Sequence, residues 1–140
     1  MKDEVCSCLL DTGAVIAHLR GLAGVSNFLE HLAERGPLAV SVITSVEVWQ
    51  GAKEREFEAT RAFFAGVALY PVDATLAEAA GLLSQKLRRI GVTMQLADAV
   101  IAATALNLGI PLLTTNAKHF TPVPDLEVWD LKEMVAPSSR

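Results

Sequence analysis

Hydrophobic positions along the chain fall into short unbroken runs, separated by longer stretches in which apolar residues recur at helical spacing. The short runs predict buried strands at residues 5–10, 38–43, 68–72 and 111–114, and a short fifth candidate lies at 127–129. The stretches with helical character cover residues 13–20, 25–35, 44–51, 54–64, 74–90 and 95–108. Strands and helices therefore alternate along most of the sequence.

This alternation predicts an α/β fold, a three-layer α/β/α arrangement around a central, mostly parallel sheet of four to five strands. The predicted strands are apolar without alternation, as expected when helices cover both faces of a parallel sheet. Helix 95–108 is apolar nearly all round and should be central. Helix 74–90 carries Lys86, Arg88 and Arg89 near its end at Gly91, where the helix dipole favours positive charge, although contact with a phosphate is compatible with the same residues. We expect a single domain over residues 1–135 and a flexible tail over 136–140.

Four polar residues stand out because they interrupt or directly follow apolar segments. Asp11 follows the first predicted strand, Glu47 lies just beyond the second, and Asn116 lies just beyond the fourth, whereas Asp98 lies within the apolar helix. Ligands of parallel sheets bind at the carboxyl ends of the strands, so these side chains should converge. Because burial of a lone carboxylate costs several kcal/mol or forces protonation, the pattern suggests that three carboxylates share a cation.

Some of these residues also have purely structural interpretations. Asp11 could cap the helix that starts at Gly13, and Thr44-Ser-Val-Glu47 reads as a capping box in its own right. Asn116 could simply occupy a turn after a strand. Asp98 is harder to explain in this way, because it lies inside its helix and no cationic residue lies one turn away.

A ligand set made only of oxygen atoms predicts Mg²⁺, with Mn²⁺ as the alternative, rather than zinc. The three histidines lack metal-ligand spacing: His18 and His31 are expected on helix surfaces, and His119 is close enough to Asn116 to support the site from behind. The sequence contains neither a glycine-rich phosphate loop nor a serine in a nucleophile elbow.

Composition adds a few limits. The 140 residues are 51% hydrophobic and carry a formal net charge of −4, which counts weakly against nucleic-acid binding unless bound cations reverse the local field. No apolar run approaches the roughly 20 residues of a membrane span, and we expect no signal peptide because Asp3, Glu4 and Asp11 interrupt the first residues. Cys6 and Cys8 would lie ~6.6 Å apart on one strand face, a poor disulfide geometry. Reduced thiols and a cytoplasmic protein are therefore expected.

The motifs taken together resemble those of PIN-domain ribonucleases, most closely the VapC-type toxins of prokaryotic toxin–antitoxin pairs. They comprise Leu-Leu-Asp11-Thr, Ser41-Val-Ile-Thr-Ser-Val-Glu47 with Gly51 four residues on, Leu96-Ala-Asp98-Ala-Val-Ile-Ala-Ala-Thr104-Ala, and Leu-Thr114-Thr-Asn116-Ala-Lys-His-Phe120. Each motif is short, but their order and spacing extend over nearly the whole chain. A PIN-like α/β/α fold is what this resemblance implies.

The resemblance also implies metal-dependent hydrolysis of RNA phosphodiester bonds. It assigns Asp11, Glu47 and Asp98 to the acidic cluster that holds the metal, and it adds Asn116 as a fourth catalytic position. Many members carry an acid where this chain has Asn116, which leaves a second metal ion in doubt. Supporting hydroxyl groups are implied at Thr12 and at Thr114 or Thr115.

Two protein partners follow from the same resemblance. One is a second copy of the chain in a homodimer, and the other is a cognate antitoxin that inserts a segment into the groove at each site. Trp49 could line that groove or lie in the core.

Three other functions are compatible with parts of the sequence. Asp11-Thr-Gly matches the active-site triplet of retroviral-type aspartic proteases, but that match covers six residues and those proteases are almost entirely β. A non-catalytic binding module with the same fold would be consistent with the absence of a fourth acid. A housekeeping RNA-processing nuclease would share the chemistry without the toxicity.

Overall fold

The computed structural model describes residues 5–135, which form a five-stranded parallel β-sheet with helices on both faces. The strands are β1 (Cys8–Leu10), β2 (Leu38–Ser41), β3 (Ala68–Tyr70), β4 (Leu112–Thr114) and β5 (Val128–Asp130). The helices are α1 (Thr12–Leu19), α2 (Val25–Arg35), α3 (Val42–Gly51), α4 (Phe57–Ala65), α5 (Ala74–Arg89), α6 (Leu96–Leu108) and α7 (Leu131–Met134). Short 3₁₀ turns occupy Glu54–Glu56 and Ala117–His119. The expected tail at 136–140 lies outside the described residues.

The strand order across the sheet is β3-β2-β1-β4-β5, and every neighbouring pair is parallel. β1 lies at the centre, with Leu9 opposite Ala39 on one side and Leu112 on the other. The carboxyl ends of β1, β2 and β4 therefore meet at one edge of the sheet. The α/β/α class predicted from the sequence is confirmed, with five strands in the described part of the chain.

Each face of the sheet has its own hydrophobic core, because alternate residues of a strand point to opposite faces. Leu9, Ala39 and Leu112 pack with residues of α5 and α6. Leu10 and Val40, from the alternate positions, pack on the other face in the core that includes residues of α1 and α2. Leu9, Leu10 and Leu112 are fully buried, so the central strands read as continuous apolar runs.

Several element boundaries differ from the prediction for local reasons. Helix α3 begins at Val42 rather than at residue 44, because the Ser41 side chain accepts the Ile43 backbone N–H at 3.1 Å and ends the strand there. The segment predicted as one helix over 54–64 divides into a 3₁₀ turn and α4. At the start of α5, Asp73 caps the Leu76 N–H at 2.8 Å. The short helix α7 was not predicted.

The two cysteines have the predicted state. Both Cys6 and Cys8 are free thiols buried within the protein. Burial, together with the neighbouring Cys6, raises the pKa of Cys8 to about 12. The thiol of Cys8 is therefore neutral and serves as core packing.

None of the helices within residues 5–135 combines the length and the apolar character needed to cross a bilayer.

The prediction that His18 lies on a helix surface is wrong. Its ring packs against Phe63 with ring centroids 5.3 Å apart, and its Nδ1 lies 2.9 Å from the Ser26 hydroxyl. This partial burial between helices lowers the pKa of His18 below its usual 6.5, although the nearby charge of Glu30 opposes the shift. His31 is exposed, as predicted.

We predict that His18 makes the protein less stable as the pH falls. Its folded pKa lies below the unfolded value, so the unfolded chain binds more protons once the pH drops through 6.5, and the free energy of unfolding decreases. The variant His18→Gln should show a shallower pH dependence of that free energy between about pH 5 and 7 in urea titrations. The exposed control His31→Gln should keep the wild-type slope. Equal slopes in all three proteins would contradict the prediction.

Candidate active site

Asp11 is the most buried of the four candidate residues. It follows β1 directly, caps α1 by accepting the Ala14 N–H at 2.8 Å, and is 7% exposed. Its second carboxylate oxygen accepts a short hydrogen bond from the Thr114 hydroxyl at the end of β4. The backbone N–H of Thr115 also donates to this carboxylate. Asp11 thus does act as a helix cap, but its carboxylate is also tied to a neighbouring strand.

Glu47 lies in the middle of α3, so its interpretation as part of a capping box is wrong. The helix is capped by Ser41 instead, and Glu47 is free to face the end of β1. Its Oε1 accepts a hydrogen bond of 2.6 Å from the hydroxyl of Thr12, the first residue of α1. The fully buried hydroxyl of Thr44 lies 3.1 Å from the same Thr12 oxygen. These contacts fasten Glu47 to the helix that Asp11 caps.

Asp98 is the third residue of α6, which begins at Leu96 after the cap residue Gln95. A carboxylate in the first turn is stabilised by the helix dipole. The Asp98 side chain is 23% exposed, and its Oδ2 lies 3.5 Å from Nδ1 of His119. Asp98 therefore faces across to the segment that follows β4 rather than back to its own helix.

Asn116 is linked to the acidic residues only through His119. It is exposed, its backbone N–H donates to the Thr114 hydroxyl at 2.9 Å, and its side-chain nitrogen lies 3.0 Å from Nδ1 of His119. Within the described residues, His119 is its side-chain hydrogen-bond partner. His119 consequently connects the amide of Asn116 with the carboxylate of Asp98.

The three carboxylates are close enough to influence one another electrostatically. Burial raises the pKa of Asp11; the hydrogen bonds from Thr114 and Ala14 oppose the rise, and the charge of Asp98 adds to it. Burial also raises the pKa of Asp98, with His119 opposing the rise and Glu47 adding to it. Among residues 5–135, the ion pairs within 4.0 Å join histidines to acids, and none brings Lys or Arg to these carboxylates. Among the described residues, His119 is the basic side chain paired with the cluster, so three carboxylates face at most one positive partner.

The described residues contain no ready-made cage of three or more acidic, histidine or cysteine side chains. The hydrogen bonds explain why. Asp11 is turned toward backbone N–H groups and Thr114, Glu47 toward Thr12, and Asp98 toward His119. Because like charges repel, the fold satisfies each of these carboxylates with separate partners.

Comparison with known proteins assigns the family. The model of the PIN domain matches residues 8–125 of the chain. The chain belongs to the PIN-domain family. Ribonuclease VapC19 of Mycobacterium tuberculosis is 35% identical over 120 residues, which cover 85% of this chain and 96% of the relative. Ribonuclease VapC10 of the same organism is 33% identical over 112 residues, which cover 80% of this chain and 84% of the relative.

Solved structures agree with this assignment. A toxin–antitoxin complex from Klebsiella pneumoniae contains a chain that is 30% identical, with a TM-score of 0.74 and coverage of 89% of this chain and 98% of that one. DNA-bound VapBC from Salmonella typhimurium gives a TM-score of 0.80 at 22% identity, with the same coverage, and so shows the shared fold.

The resemblance to VapC-type PIN ribonucleases inferred from the motifs is confirmed. PIN-domain ribonucleases generally use a divalent metal. The aspartic protease interpretation is excluded, because the sheet is parallel and covered by helices.

The sequence does not predict the role of two residues that support the site of this PIN domain. Thr44 is not the helix cap that its position suggests; its buried hydroxyl instead contacts the hydroxyl of Thr12 beside Glu47. Gly13 was noted only as a helix start, but a Cβ at this position would collide with the Thr115 hydroxyl. The Asp-Thr-Gly triplet carried a signal for Gly13, although only the fold shows which neighbour requires it.

We predict that Gly13→Ala impairs the site without unfolding the protein. The added methyl group must displace the Thr115 side chain, and the backbone of Thr115 donates to Asp11. Nuclease activity should fall, whereas the thermal midpoint should change by only a few degrees. The control Gly66→Ala adds the same methyl group in ordinary van der Waals contact, far from the site, and should leave activity unchanged. Wild-type activity in Gly13→Ala would show that this close contact is irrelevant.

Proposed function

We propose that this chain is a metal-dependent endoribonuclease that hydrolyses RNA phosphodiester bonds and acts as the toxin of a toxin–antitoxin pair. The observation that carries the proposal is the gathering of Asp11, which caps α1, with Glu47 of α3 and Asp98 of α6 at the carboxyl edge of the sheet. Relatives of this protein that are named ribonucleases align with most of the chain. The chemistry of the cluster is therefore that expected for a nuclease that needs no covalent nucleophile.

The residues of the cluster fit a hard divalent cation. They offer carboxylate oxygens, their charges repel one another, and burial disfavours ionisation of Asp11 and Asp98. We propose that Asp11, Asp98 and Glu47 hold Mg²⁺ or Mn²⁺, both of which prefer oxygen ligands. A divalent ion bound there supplies an activated water and stabilises negative charge that develops on the phosphate.

The surrounding side chains hold the cluster in place. The Thr114 hydroxyl and the Ala14 N–H fix the rotamer of Asp11, and the Thr12 hydroxyl orients Glu47. Asn116 is neutral where a fourth acid would add charge, so we propose one firmly held ion rather than two. The amide of Asn116 is exposed at the rim of the site, where its nitrogen contacts His119, and we propose that it also contacts substrate or water there.

We further propose a cognate antitoxin and a homodimer as protein partners. The Klebsiella pneumoniae relative was solved as a toxin–antitoxin complex, which supports the first partner. A groove of about 600 Å³ between α3, α5 and α6 supports the second, because its lining is almost wholly apolar. Val46 and Leu96 line this groove and are 53% and 77% exposed, which is unusual for large apolar side chains without a partner.

Trp49 does not line the groove beside Glu47. It is half-buried, its ring lies edge-on to Phe57 with centroids 5.6 Å apart, and the Arg61 guanidinium lies 5.7 Å from the ring centroid. Trp49 therefore serves to pack α3 against α4, and a direct contact with the antitoxin is not part of this proposal.

We predict that Asp11→Asn and Asp98→Asn abolish metal-dependent RNA cleavage. For Asp98→Asn, the melting temperature in EDTA at neutral pH should equal or exceed that of the wild type. Burial and Glu47 raise the pKa of Asp98, so its ionised form destabilises the fold above that pKa, and a neutral amide removes this effect. Mg²⁺ should raise the melting temperature of the wild type but not that of the variant.

Asp73→Asn is the matched control, because it makes the same substitution at the cap of α5, outside the cluster. It should retain both cleavage and the Mg²⁺-dependent thermal shift. Full metal-dependent activity in Asp98→Asn would overturn the site assignment. Absence of cleavage in the wild type, with or without EDTA, would favour a non-catalytic binding module. Growth arrest on expression of wild type but not of Asp98→Asn distinguishes a toxin from a housekeeping nuclease.

A separate prediction concerns the homodimer. Ala77 is exposed on α5 and lines the apolar groove, so Ala77→Glu should place a charge inside the interface and convert the dimer to a monomer. Ala79 is exposed on the same helix outside the groove, and Ala79→Glu should leave the dimer intact. Light scattering coupled to size-exclusion chromatography measures both masses. A monomeric wild type, or an unaffected Ala77→Glu dimer, would rule out this interface.

A further inference from the structure

A second groove borders the acidic cluster on the opposite side of α3. It has a volume of about 380 Å³ and lies between α1, α3 and the segment that leads into α4. Glu47 forms part of its wall, so the groove reaches one of the candidate catalytic residues directly. Ile16, Leu19 and Val48 give it an apolar floor.

The rim of this groove is basic, although the protein as a whole is acidic. Arg20, Lys53 and Arg55 line it, and all three are exposed. Within residues 5–135, none of the three forms an ion pair within 4.0 Å. Glu56 also lines the groove, but its carboxylate accepts the Lys53 backbone N–H at 2.7 Å and caps the 3₁₀ turn. Among the described residues, the three cations therefore have no acidic partner within ion-pair distance.

The two grooves on either side of α3 differ in the ligand that they suit. The groove that Val46 and Leu96 line carries Arg88 as its one charged lining residue and presents mainly apolar surface. The groove beside Glu47 is lined by three cations, one at the end of α1 and two at the 3₁₀ turn before α4. An RNA strand with one phosphate at the carboxylates is a polyanion. Electrostatic attraction therefore favours the second groove, which is rimmed by cations, over the first, which is mainly apolar.

We propose that the groove beside Glu47 holds the RNA strand next to the cleaved bond, with Arg20, Lys53 and Arg55 contacting its phosphates. This inference rests on the proposed ribonuclease function, which it extends from the chemistry to the path of the substrate. The three cations offset the negative charge that Asp11, Glu47 and Asp98 place at the site. Contacts of this kind position the backbone and carry no base specificity.

The test measures binding and cleavage separately. Binding of a fluorescent single-stranded RNA is measured in the Asp98→Asn background at several salt concentrations, and cleavage is measured in otherwise wild-type protein. The triple variant Arg20→Gln, Lys53→Gln and Arg55→Gln should bind RNA several-fold more weakly. The slope of log affinity against log salt should fall by about 0.7 for each contact removed. In cleavage assays the triple variant should raise KM and change kcat little.

The control removes three charges elsewhere. Arg35, Arg61 and Lys132 are exposed outside both grooves, and their triple substitution by Gln should leave KM and the salt slope unchanged. If the groove triple variant no longer melts cooperatively, the three single variants are measured instead. In each of them the slope of log affinity against log salt should fall by about 0.7.

Three outcomes overturn the proposal. The first is wild-type RNA affinity and salt slope in the groove triple variant. The second is an equal loss in the control triple variant, which would reflect net charge alone. The third is a loss of antitoxin binding in the groove variant with RNA binding unchanged, which would make the groove a peptide site. Failure of the wild type to cleave RNA contradicts the proposed function instead, because RNA binding in the Asp98→Asn background is scored independently.

Discussion

The structure depends on placing the carboxylate of Asp11 in a buried position beside a second carboxylate, that of Asp98. Burial and like charge both disfavour the ionised form of Asp11, so the fold must supply compensation from fixed groups. It does so with the backbone N–H of Ala14, the N–H of Thr115 and the hydroxyl of Thr114. Because Asp11 follows the central strand and Thr114 ends the neighbouring one, the register between β1 and β4 sets the position of the carboxylate.

The same constraint explains how α3 and α6 are placed. Asp98 lies in the first turn of α6, where the helix dipole favours negative charge, and Glu47 is joined to α1 through Thr12. Each acid thus has a local stabilising group, and together they still repel. An arrangement that stabilises acids singly and still brings them close is one that a bound cation would stabilise further. This is the physical basis for interpreting the cluster as functional.

The sequence predicts the parts of this arrangement that depend on local pattern. Apolar runs without alternation predict the parallel sheet, which the structure confirms. Asp98 inside an apolar helix has no local partner, and this makes it a candidate site residue. Predictions failed where a nonlocal contact decides. The capping-box interpretation of Glu47, an alternative to its place in the acidic cluster, is wrong because Ser41 caps the helix, which the local sequence does not reveal. The packing of Phe63 on His18, and the contact of Thr115 with Gly13, join residues that only the sheet topology brings together.

Helix α3 divides the surface around the cluster into two chemically different regions. Val46 and Glu47 are consecutive residues, yet one lines an apolar groove and the other a basic-rimmed groove, because adjacent positions on a helix point about 100° apart. An apolar surface gains by excluding water and suits a protein partner, whereas unpaired cations gain by meeting phosphates. In the arrangement that we propose, this helix would keep the protein interface and the substrate path apart, with Glu47 at their boundary. Assembly on the first groove would then leave the second open to RNA.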